Sequence, residues 1–198
     1  MEKGEKSRQR IIEESVPVFN TKGYAGTSMS DLMESTGFRK GGIYRHFESK
    51  EELAAEAFSC AYAQLKAAYT SVYDESDPAD VKLIRFFKSF RKFLVEPPVK
   101  GGCPIMNTAI DADHSNKRLR DLARGAAKDW ESILVEVVQD GVDKGIFPST
   151  VTPRDEARFI IASIEGGILL SKLHRDIGYG MLAAERLIAR VEELKEKA

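Results

Sequence analysis

Thr27–Phe47 reads TSMSDLMESTGFRKGGIYRHF, and this stretch decides the fold that the chain is expected to adopt. Thr27 or Ser28 caps a short helix that reaches about Thr36, and Gly37 then ends it. A second short helix follows and carries a group of hydrogen-bond donors: Arg39, Lys40, Tyr44, Arg45 and His46. Two helices joined by a tight glycine-containing turn, the second rich in cations, are typical of a unit whose second helix enters the major groove of DNA.

The residues on either side complete a small helical domain. An apolar stripe that includes Ile11, Val16 and Phe19 predicts a preceding helix over about residues 6–22, which Gly23 ends. After Phe47, Ser49 and Glu52 stand three positions apart, the spacing of a capping box that begins a fourth helix. We therefore expect a helix-turn-helix domain over residues 1–50.

The rest of the chain also has a helical pattern. The 198 residues are 42% hydrophobic and 31% charged, which fits a globular protein with a core. Apolar residues recur every three or four positions and predict an all-α fold. Further helices are expected over about residues 50–73, 78–95, 104–112, 117–144, 153–174 and 179–196. The first of these is expected to join residues 1–50 to a second helical domain over residues 51–198.

Charge and composition limit the classes of function. The net charge of −1 argues against a protein that coats DNA by charge alone, yet residues 1–50 carry +2 and the remainder −3. No run of about twenty apolar residues predicts a membrane span, and the charged amino terminus does not look like a signal peptide. Cys60 and Cys103 lie far apart and predict reduced thiols, so we expect a cytoplasmic protein without a membrane partner.

Four blocks of sequence closely resemble the tetracycline-repressor (TetR) family of bacterial transcriptional regulators. They are Gly23-Tyr24-Ala25-Gly26-Thr27-Ser28, Asp31-Leu32, Gly37–Phe47 and Ser49-Lys50-Glu51-Glu52-Leu53. The resemblance implies a homodimer that binds a palindromic operator in double-stranded DNA and is released by a small-molecule effector. It also implies repression as the default mode. Neither the operator, the effector, the regulated genes nor repression over activation follows from the sequence itself.

The same resemblance implies a set of DNA contacts in the region Ser28 to Phe47 and just beside it: Thr27, Ser28, Arg39, Lys40, Gly41, Tyr44, Arg45, His46 and Lys50. Long cations at the front of the recognition helix can reach guanine edges, and donors around it can bind phosphates. Arg39 departs from the family, which usually has a capping Ser or Thr there. Gly42 replaces a common alanine and costs about 1 kcal/mol of helix propensity.

The second domain offers candidates for an effector pocket and for a dimer interface. The pocket candidates are Phe86, Phe90, Phe93, Cys103, Met106, Trp130 and Phe159, although aromatic residues at helical spacing are more often core. The last two long helices are expected to pair with their symmetry mates in a four-helix bundle. The predicted face is Phe159, Ile160, Ser163, Ile164, Gly167, Ile168 and Ser171.

A competing function class rests on Asp111, Asp113 and His114. Asp111 and His114 would share one helical face, which suits two metal ligands in a small helical enzyme or a metal-dependent regulator. A third and a fourth ligand are not identifiable, and no phosphate-binding loop or nucleophile motif accompanies them. We therefore expect no enzymatic activity, no cofactor and no metal, and keep this group as the alternative.

Overall fold

The computed structural model describes residues 3–197, so Met1, Glu2 and Ala198, which fall within the predicted domains, lie outside the described residues. All regular elements of the described part are helices, which confirms the predicted all-α class. They are α1 (Lys3–Gly26), α2 (Met29–Thr36), α3 (Lys40–Tyr44), α4 (Lys50–Thr70), α5 (Ala79–Val95), α6 (Pro104–Ala112), α7 (Lys117–Asp143), α8 (Pro153–His174) and α9 (Gly178–Lys195). None of these helices is long and apolar enough to cross a membrane.

One hydrophobic core holds α1, α2, α3 and the first turn of α4 together. Its fully buried members are Ile11, Ile12, Leu32, Ile43, Phe47 and Leu53. Burial of a large apolar side chain contributes about 1.5–3 kcal/mol, so this set stabilises a three-helix unit that is rich in polar residues elsewhere. Ile43 on α3 and Phe47 just beyond its end anchor this helix to the core.

The first helix is broken at Gly23, the residue predicted to end it. Gly23 has φ 73° and ψ 169°, and one further turn then follows up to Gly26. A positive φ of this kind is accessible to glycine at little steric cost. The chain thereby leaves the axis of α1 before it enters α2.

The chain forms two compact units. The first comprises the chain up to Leu65 together with Pro98–Ala126, and the second comprises Lys66–Pro97 and the chain from Ala127 onward. The first unit thus contains α6, which packs against α1. These two units are defined by which parts of the chain pack together. The boundary predicted after residue 50 instead separates a DNA-binding domain from a second domain, and it stays a prediction.

Inside the second unit, α9 packs against both α5 and α8. A Cβ added at Gly167 would lie 3.1 Å from the Cα of Gly180, so α8 and α9 approach closely. Arg190 donates from Nε and Nη2 to the two carboxylate oxygens of the buried Glu156 at 3.2 and 3.0 Å. This two-pronged geometry is among the stronger ion-pair arrangements in proteins.

The interface face predicted on α8 is therefore corrected in part. Ile160, Ile164, Gly167 and Ser171 are buried within this chain. Phe159 of the predicted face is exposed, and the other apolar side chains that α8 exposes are Leu169, Leu170 and Leu173. The close helix approach at Gly167 occurs inside one chain, between α8 and α9.

Candidate nucleic-acid interface

A capping box fixes the start of α2. The Ser28 hydroxyl accepts from the backbone N–H of Asp31 at 3.1 Å, and the Asp31 carboxylate accepts from the backbone N–H of Ser28 at 2.7 Å. Lys22 adds an ion pair to the other oxygen of Asp31 at 2.5 Å. Of the two capping residues that the sequence allowed, the structure selects Ser28. Two backbone donors at this helix end are thus satisfied without water.

The turn between α2 and α3 is set by Gly37 and Thr36. Gly37 adopts φ 72° and ψ 7°, and its N–H donates to the Met33 carbonyl at 3.0 Å, which closes α2. The buried Thr36 hydroxyl donates to the Leu32 carbonyl and accepts from the Phe38 N–H. These bonds hold the turn while α3 begins at Lys40. Arg39 occupies the cap position of α3 without any side-chain capping bond, as expected from its departure from Ser or Thr.

Most of the predicted DNA contacts lie on the outer surface. Ser28, Arg39, Lys40, Gly41, Tyr44 and Arg45 are exposed, and His46 is half-buried. Because Ile43 and Phe47 point into the core, the opposite side of α3 presents its donors to solvent. The Lys40 ammonium lies 5.9 Å from the centre of the Tyr44 ring, so these two side chains form one patch. A cationic helix face of this kind can meet base edges and phosphates.

Two predicted contacts turn inward instead. The Thr27 side chain is 2% exposed, and its hydroxyl donates to the Gly23 carbonyl at 2.6 Å. The Lys50 ammonium donates to the carbonyls of Tyr24 and Thr27, each at 2.8 Å, and lies 4.2 Å from the centre of the Tyr24 ring. Both side chains therefore support the connection between α1 and α2. Their predicted phosphate contacts stay predictions.

The electrostatics at this surface follow from the same contacts. The pKa of Asp31 is lowered, first by the hydrogen bond from Lys22 and then by the two bonds from Ser28. The pKa of Tyr24 is raised, first by burial and then by the negative charge of Glu51. Asp31 is thus ionised, and its carboxylate is satisfied by Lys22 and Ser28.

The group Asp111, Asp113 and His114 does not converge. Asp111 accepts from the backbone N–H of Tyr24 at 2.7 Å, whereas the exposed Asp113 and His114, which follow α6, pair with each other at 3.3 Å. Among residues 3–197, no three His, Cys, Asp or Glu side chains stand close enough together to hold a metal ion. The alternative built on this group has no assembled site in the structure.

The predicted pocket residues fall into both units. Cys103 and Met106 belong to the first unit, where the Cys103 sulfur accepts from the Met106 N–H at the start of α6. In the second unit, Phe86, Phe93 and Trp130 pack around Tyr69 with ring centres 4.6, 4.9 and 5.5 Å from it. Phe90 is fully buried and Phe159 is 51% exposed. The pocket stays a prediction.

The first unit has its own small cavity between α1, α4 and α6. It is lined by apolar residues such as Phe19 and Phe58 and by the polar Asn20, Asn107 and Asp111. Its volume is about 30 Å³, whereas pockets for drug-sized ligands measure roughly 300–1,000 Å³. The cavity has room for water and is too small for an organic effector.

Three residues of this region make contacts that the sequence did not indicate. Lys22 pairs with Asp31, Tyr24 offers its backbone to Lys50 and Asp111, and Arg10 lies 5.9 Å from the centre of the Phe38 ring beside the turn. Tyr24 and Asp111 are 87 positions apart, so no local pattern relates them. Lys22 and Asp31 are nine positions apart across the break in α1, where helical spacing no longer applies.

Two family models match the chain. Residues 11–57 match the bacterial regulatory proteins of the tetR family, and residues 80–187 match the tetracyclin repressor-like C-terminal domain. The second match alone spans more than half of the chain.

Individual proteins agree with these models. A TetR transcriptional regulator from Chloroflexus aurantiacus J-10-FL has a similar crystal structure, with a TM-score of 0.92, 36% identity and 98% of each chain covered. A TetR-family regulator from Cytophaga hutchinsonii follows with a TM-score of 0.90 at 31% identity, covering 98% of this chain and 97% of that one. The HTH-type transcriptional repressor DhaR of Mycobacterium sp. (strain GP1) is 25% identical over 169 residues, covering 85% of this chain and 84% of DhaR.

Proposed function

Because this chain belongs to the TetR family of bacterial transcriptional regulators, we propose that it represses transcription by binding a palindromic operator as a homodimer and leaves the DNA when a small-molecule effector binds. One observation supports this proposal most strongly. The cationic side of α3, with Arg39, Lys40, Tyr44 and Arg45, is exposed while Ile43 on its other side is buried. Repression is supported by the similarity to a protein named as a repressor, DhaR.

The proposed roles follow the chemistry of each side chain. Lys40 and Arg39 would read guanine O6 and N7, and Gly41 would let the helix backbone come close to the base edges. Ser28, Tyr44 and His46 would donate to phosphates, and Arg45 could serve either purpose. For Thr27, whose hydroxyl donates to a backbone carbonyl in this structure, a phosphate contact would use its backbone N–H. The Lys50 ammonium donates to two backbone carbonyls, and the phosphate contact predicted for it is the alternative that the salt dependence of a Lys50 variant tests below.

The homodimer would form through the exposed apolar side chains of α8 and α9. These are Phe159, Leu169, Leu170, Leu173, Tyr179 and Leu182, with Ile177 in the turn between the helices. An apolar patch of this kind on a water-soluble helix pair is typical of an interface. Two recognition helices would then meet successive major grooves about 34–36 Å apart, which requires a two-fold symmetric operator.

The effector would bind the domain over residues 51–198. Its binding would release the helix-turn-helix domain over residues 1–50 from the operator. A shift from 99% bound to 99% free requires about 5.5 kcal/mol of differential affinity between the two states. The aromatic residues of α5, with Trp130 on α7, are the proposed neighbourhood of the effector. As a regulator of transcription, the protein would act in the cytoplasm.

The test is binding of the purified protein to the duplex upstream of its own gene and to sheared genomic DNA. We expect retention of a few fragments that share a palindrome, with an affinity that falls steeply as salt rises because lysine and arginine release counterions from phosphates. A duplex of scrambled sequence and equal length is the control. Equal retention of all fragments, or none at any salt concentration, would contradict the proposal.

A further inference from the structure

The backbone of Tyr24 is held from two directions at the connection between α1 and α2. Its N–H donates to the Asp111 carboxylate of α6 at 2.7 Å. Its carbonyl accepts from the Lys50 ammonium of α4 at 2.8 Å, and the same ammonium donates to the Thr27 carbonyl. Hydrogen bonds from or to an ionised group are roughly twice as strong as neutral ones. One residue of the connection is thus fixed by two charges of opposite sign.

The break at Gly23 is what lets Asp111 reach the backbone. A Cβ added at Gly23 would lie 2.7 Å from Asp111 Oδ1 and 2.9 Å from its Cγ. The carboxylate therefore rests directly against the chain where α1 leaves its axis. A side chain at this position would displace it.

Asp111 itself is aimed by the packing of α6 on α1. The Asn107 amide donates to the backbone carbonyl of Asn20 at 3.0 Å, and the Asn20 amide donates to the carbonyls of Lys100 and Gly102. A Cβ added at Gly101 would lie 2.8 Å from the Asn20 carbonyl oxygen, so the segment before α6 touches α1. These contacts fix α6 to the middle of α1, and Asp111 extends the same attachment to its end.

The connection leads directly into the start of α2, where Ser28 is exposed at the proposed DNA surface. Resting on the proposed DNA-binding function, we propose that Asp111 is a positioning residue for operator binding: together with Lys50 it sets the orientation of the connection and hence of the amino end of α2. Asp111 touches no DNA in this role. It acts through Tyr24, and Asp113, two positions further on, does not share the role.

The direction in which DNA affinity changes distinguishes this positioning role from a simple effect of net charge. Asp111→Ala removes one negative charge from α6 and Asp113→Ala removes one from the residue that follows it, and less negative charge favours an anionic duplex. We nevertheless expect Asp111→Ala to weaken binding to the palindromic duplex retained by the wild type about tenfold, because the orientation that this charge-assisted hydrogen bond fixes in the free protein would then have to be ordered on binding. Asp113→Ala is expected to bind as the wild type does or slightly more tightly.

Two further variants make the test specific. Asp111→Asn keeps an oxygen acceptor for the Tyr24 N–H and should recover much of the lost affinity, whether or not Asp111→Ala folds well. Lys50→Met should weaken binding with the slope of log affinity against log salt unchanged, since a lost phosphate contact would lower that slope by about 0.9. Thermal unfolding of each variant is measured in parallel.

Each result has a definite meaning. Equal affinities for Asp111→Ala and Asp113→Ala would overturn the inference, as would an Asp111→Asn variant no better than Asp111→Ala or a lowered salt slope for Lys50→Met. Those failures all presuppose a wild-type protein that prefers its palindromic duplex to the scrambled one. If the wild type shows no such preference, the proposed function fails first and the inference falls with it.

Discussion

Lys40 is the residue on which sequence-specific binding should depend most. It is exposed at the first position of α3, and the backbone behind it is anchored by Ile43. Lys40→Ala is expected to cost about 1–3 kcal/mol of operator binding and to relax preference at one base position, because a contact to a base edge is lost. Competition binding between the operator and single-base variants measures both effects.

The matched control for Lys40 is Lys88→Ala, which removes another exposed lysine, on α5. It changes the net charge by the same amount and should leave the base preference intact. If Lys40→Ala lowers affinity for every duplex alike, Lys40 binds phosphate rather than bases. That outcome would contradict the assignment of Lys40 to base reading.

The contribution of Asp31 to the stability of α2 should be lost at low pH. Its pKa is lowered below the ordinary value of 3.8, so the folded protein keeps Asp31 ionised where the unfolded chain takes up a proton. Its stabilising contribution is fully present above pH 3.8 and is lost as the pH falls through the lowered folded-state pKa. The free energy of unfolding of wild type and of Asp31→Asn should therefore differ at neutral pH and converge in strong acid.

Lys22→Ala tests the cause of that dependence. Since the hydrogen bond from Lys22 is the largest contribution to the lowered pKa of Asp31, its removal should reduce the loss of stability in acid. Urea unfolding curves at several pH values measure the trend. Curves for Lys22→Ala that fall with pH as steeply as those of the wild type would refute the proposed cause.

For single residues, the sequence predicted the kind of side chain that a position needs better than the groups which that side chain contacts. It placed a hydroxyl cap at Thr27 or Ser28 without choosing between them, because both side chains suit the position. The structure buries Thr27 and gives the cap to Ser28. Lys50 was assigned to phosphate from the family pattern alone. Its inward contacts to Tyr24 and Thr27 join residues 26 and 23 positions apart, which no local pattern could indicate.

Among the helices, α3 is the one in which a single substitution should raise the stability of the protein and weaken its binding to DNA. A Cβ added at Gly41 would meet nothing within 4 Å, so Gly41→Ala fits the folded chain. We expect it to stabilise the protein by about 0.4–1 kcal/mol, since alanine restricts the unfolded chain and favours helix. We also expect weaker operator binding, because the added methyl group lies on the exposed side proposed to approach base edges.

Gly125→Ala is the control for Gly41. It lies inside α7, where an added Cβ likewise meets nothing within 4 Å. It should stabilise the protein similarly and leave DNA binding unchanged. Thermal unfolding and operator titration of both variants decide the matter, and a Gly41→Ala variant that binds as tightly as wild type would remove close approach as the reason for this glycine.

The helices themselves could be predicted closely because their ends carry local chemistry. The predicted bounds of α6 and α8 agree with the structure, since Pro104 and Pro153 occupy the first turn of each helix. Gly37 ends α2 as its sequence indicated. The break in α1 was harder, because Gly23 ends one helical segment and a further turn follows directly.

For the whole molecule, the exposed apolar side chains of α8 and α9 should decide the oligomeric state. Leu173 is 70% exposed, although leucine is costly to hydrate. Leu173→Glu is expected to raise the dimer dissociation constant about tenfold or more, since a two-fold interface would bury the introduced charge on both protomers. Operator affinity should fall with it, because one recognition helix alone covers half a palindrome.

Val95→Glu is the control for Leu173. Val95 is 62% exposed at the end of α5, outside the proposed interface. Sedimentation at several protein concentrations compares the two variants. A Leu173→Glu protein that sediments like the wild type would exclude this face of α8 from the dimer.

The face of α8 shows what sequence periodicity leaves open. Phe159 and Ile160 are neighbours, and either could begin the inward stripe at helical spacing. The structure buries Ile160 and Ile164 and leaves Phe159 exposed. The choice depends on the partner helix α9, with which Gly167 makes its close contact, and a single helix carries no signal of that pairing.

The discontinuous first unit has a consequence for engineering hybrid regulators. A transplant of residues 1–50 into another protein would separate Asn20 and Tyr24 from Asn107 and Asp111, the α6 side chains that hold them. The recipient would have to supply equivalent groups at the same two places. A hybrid protein that takes Pro98–Ala126 together with the amino-terminal segment keeps these contacts. Exchange of DNA specificity between relatives should therefore succeed more often when both segments are transferred.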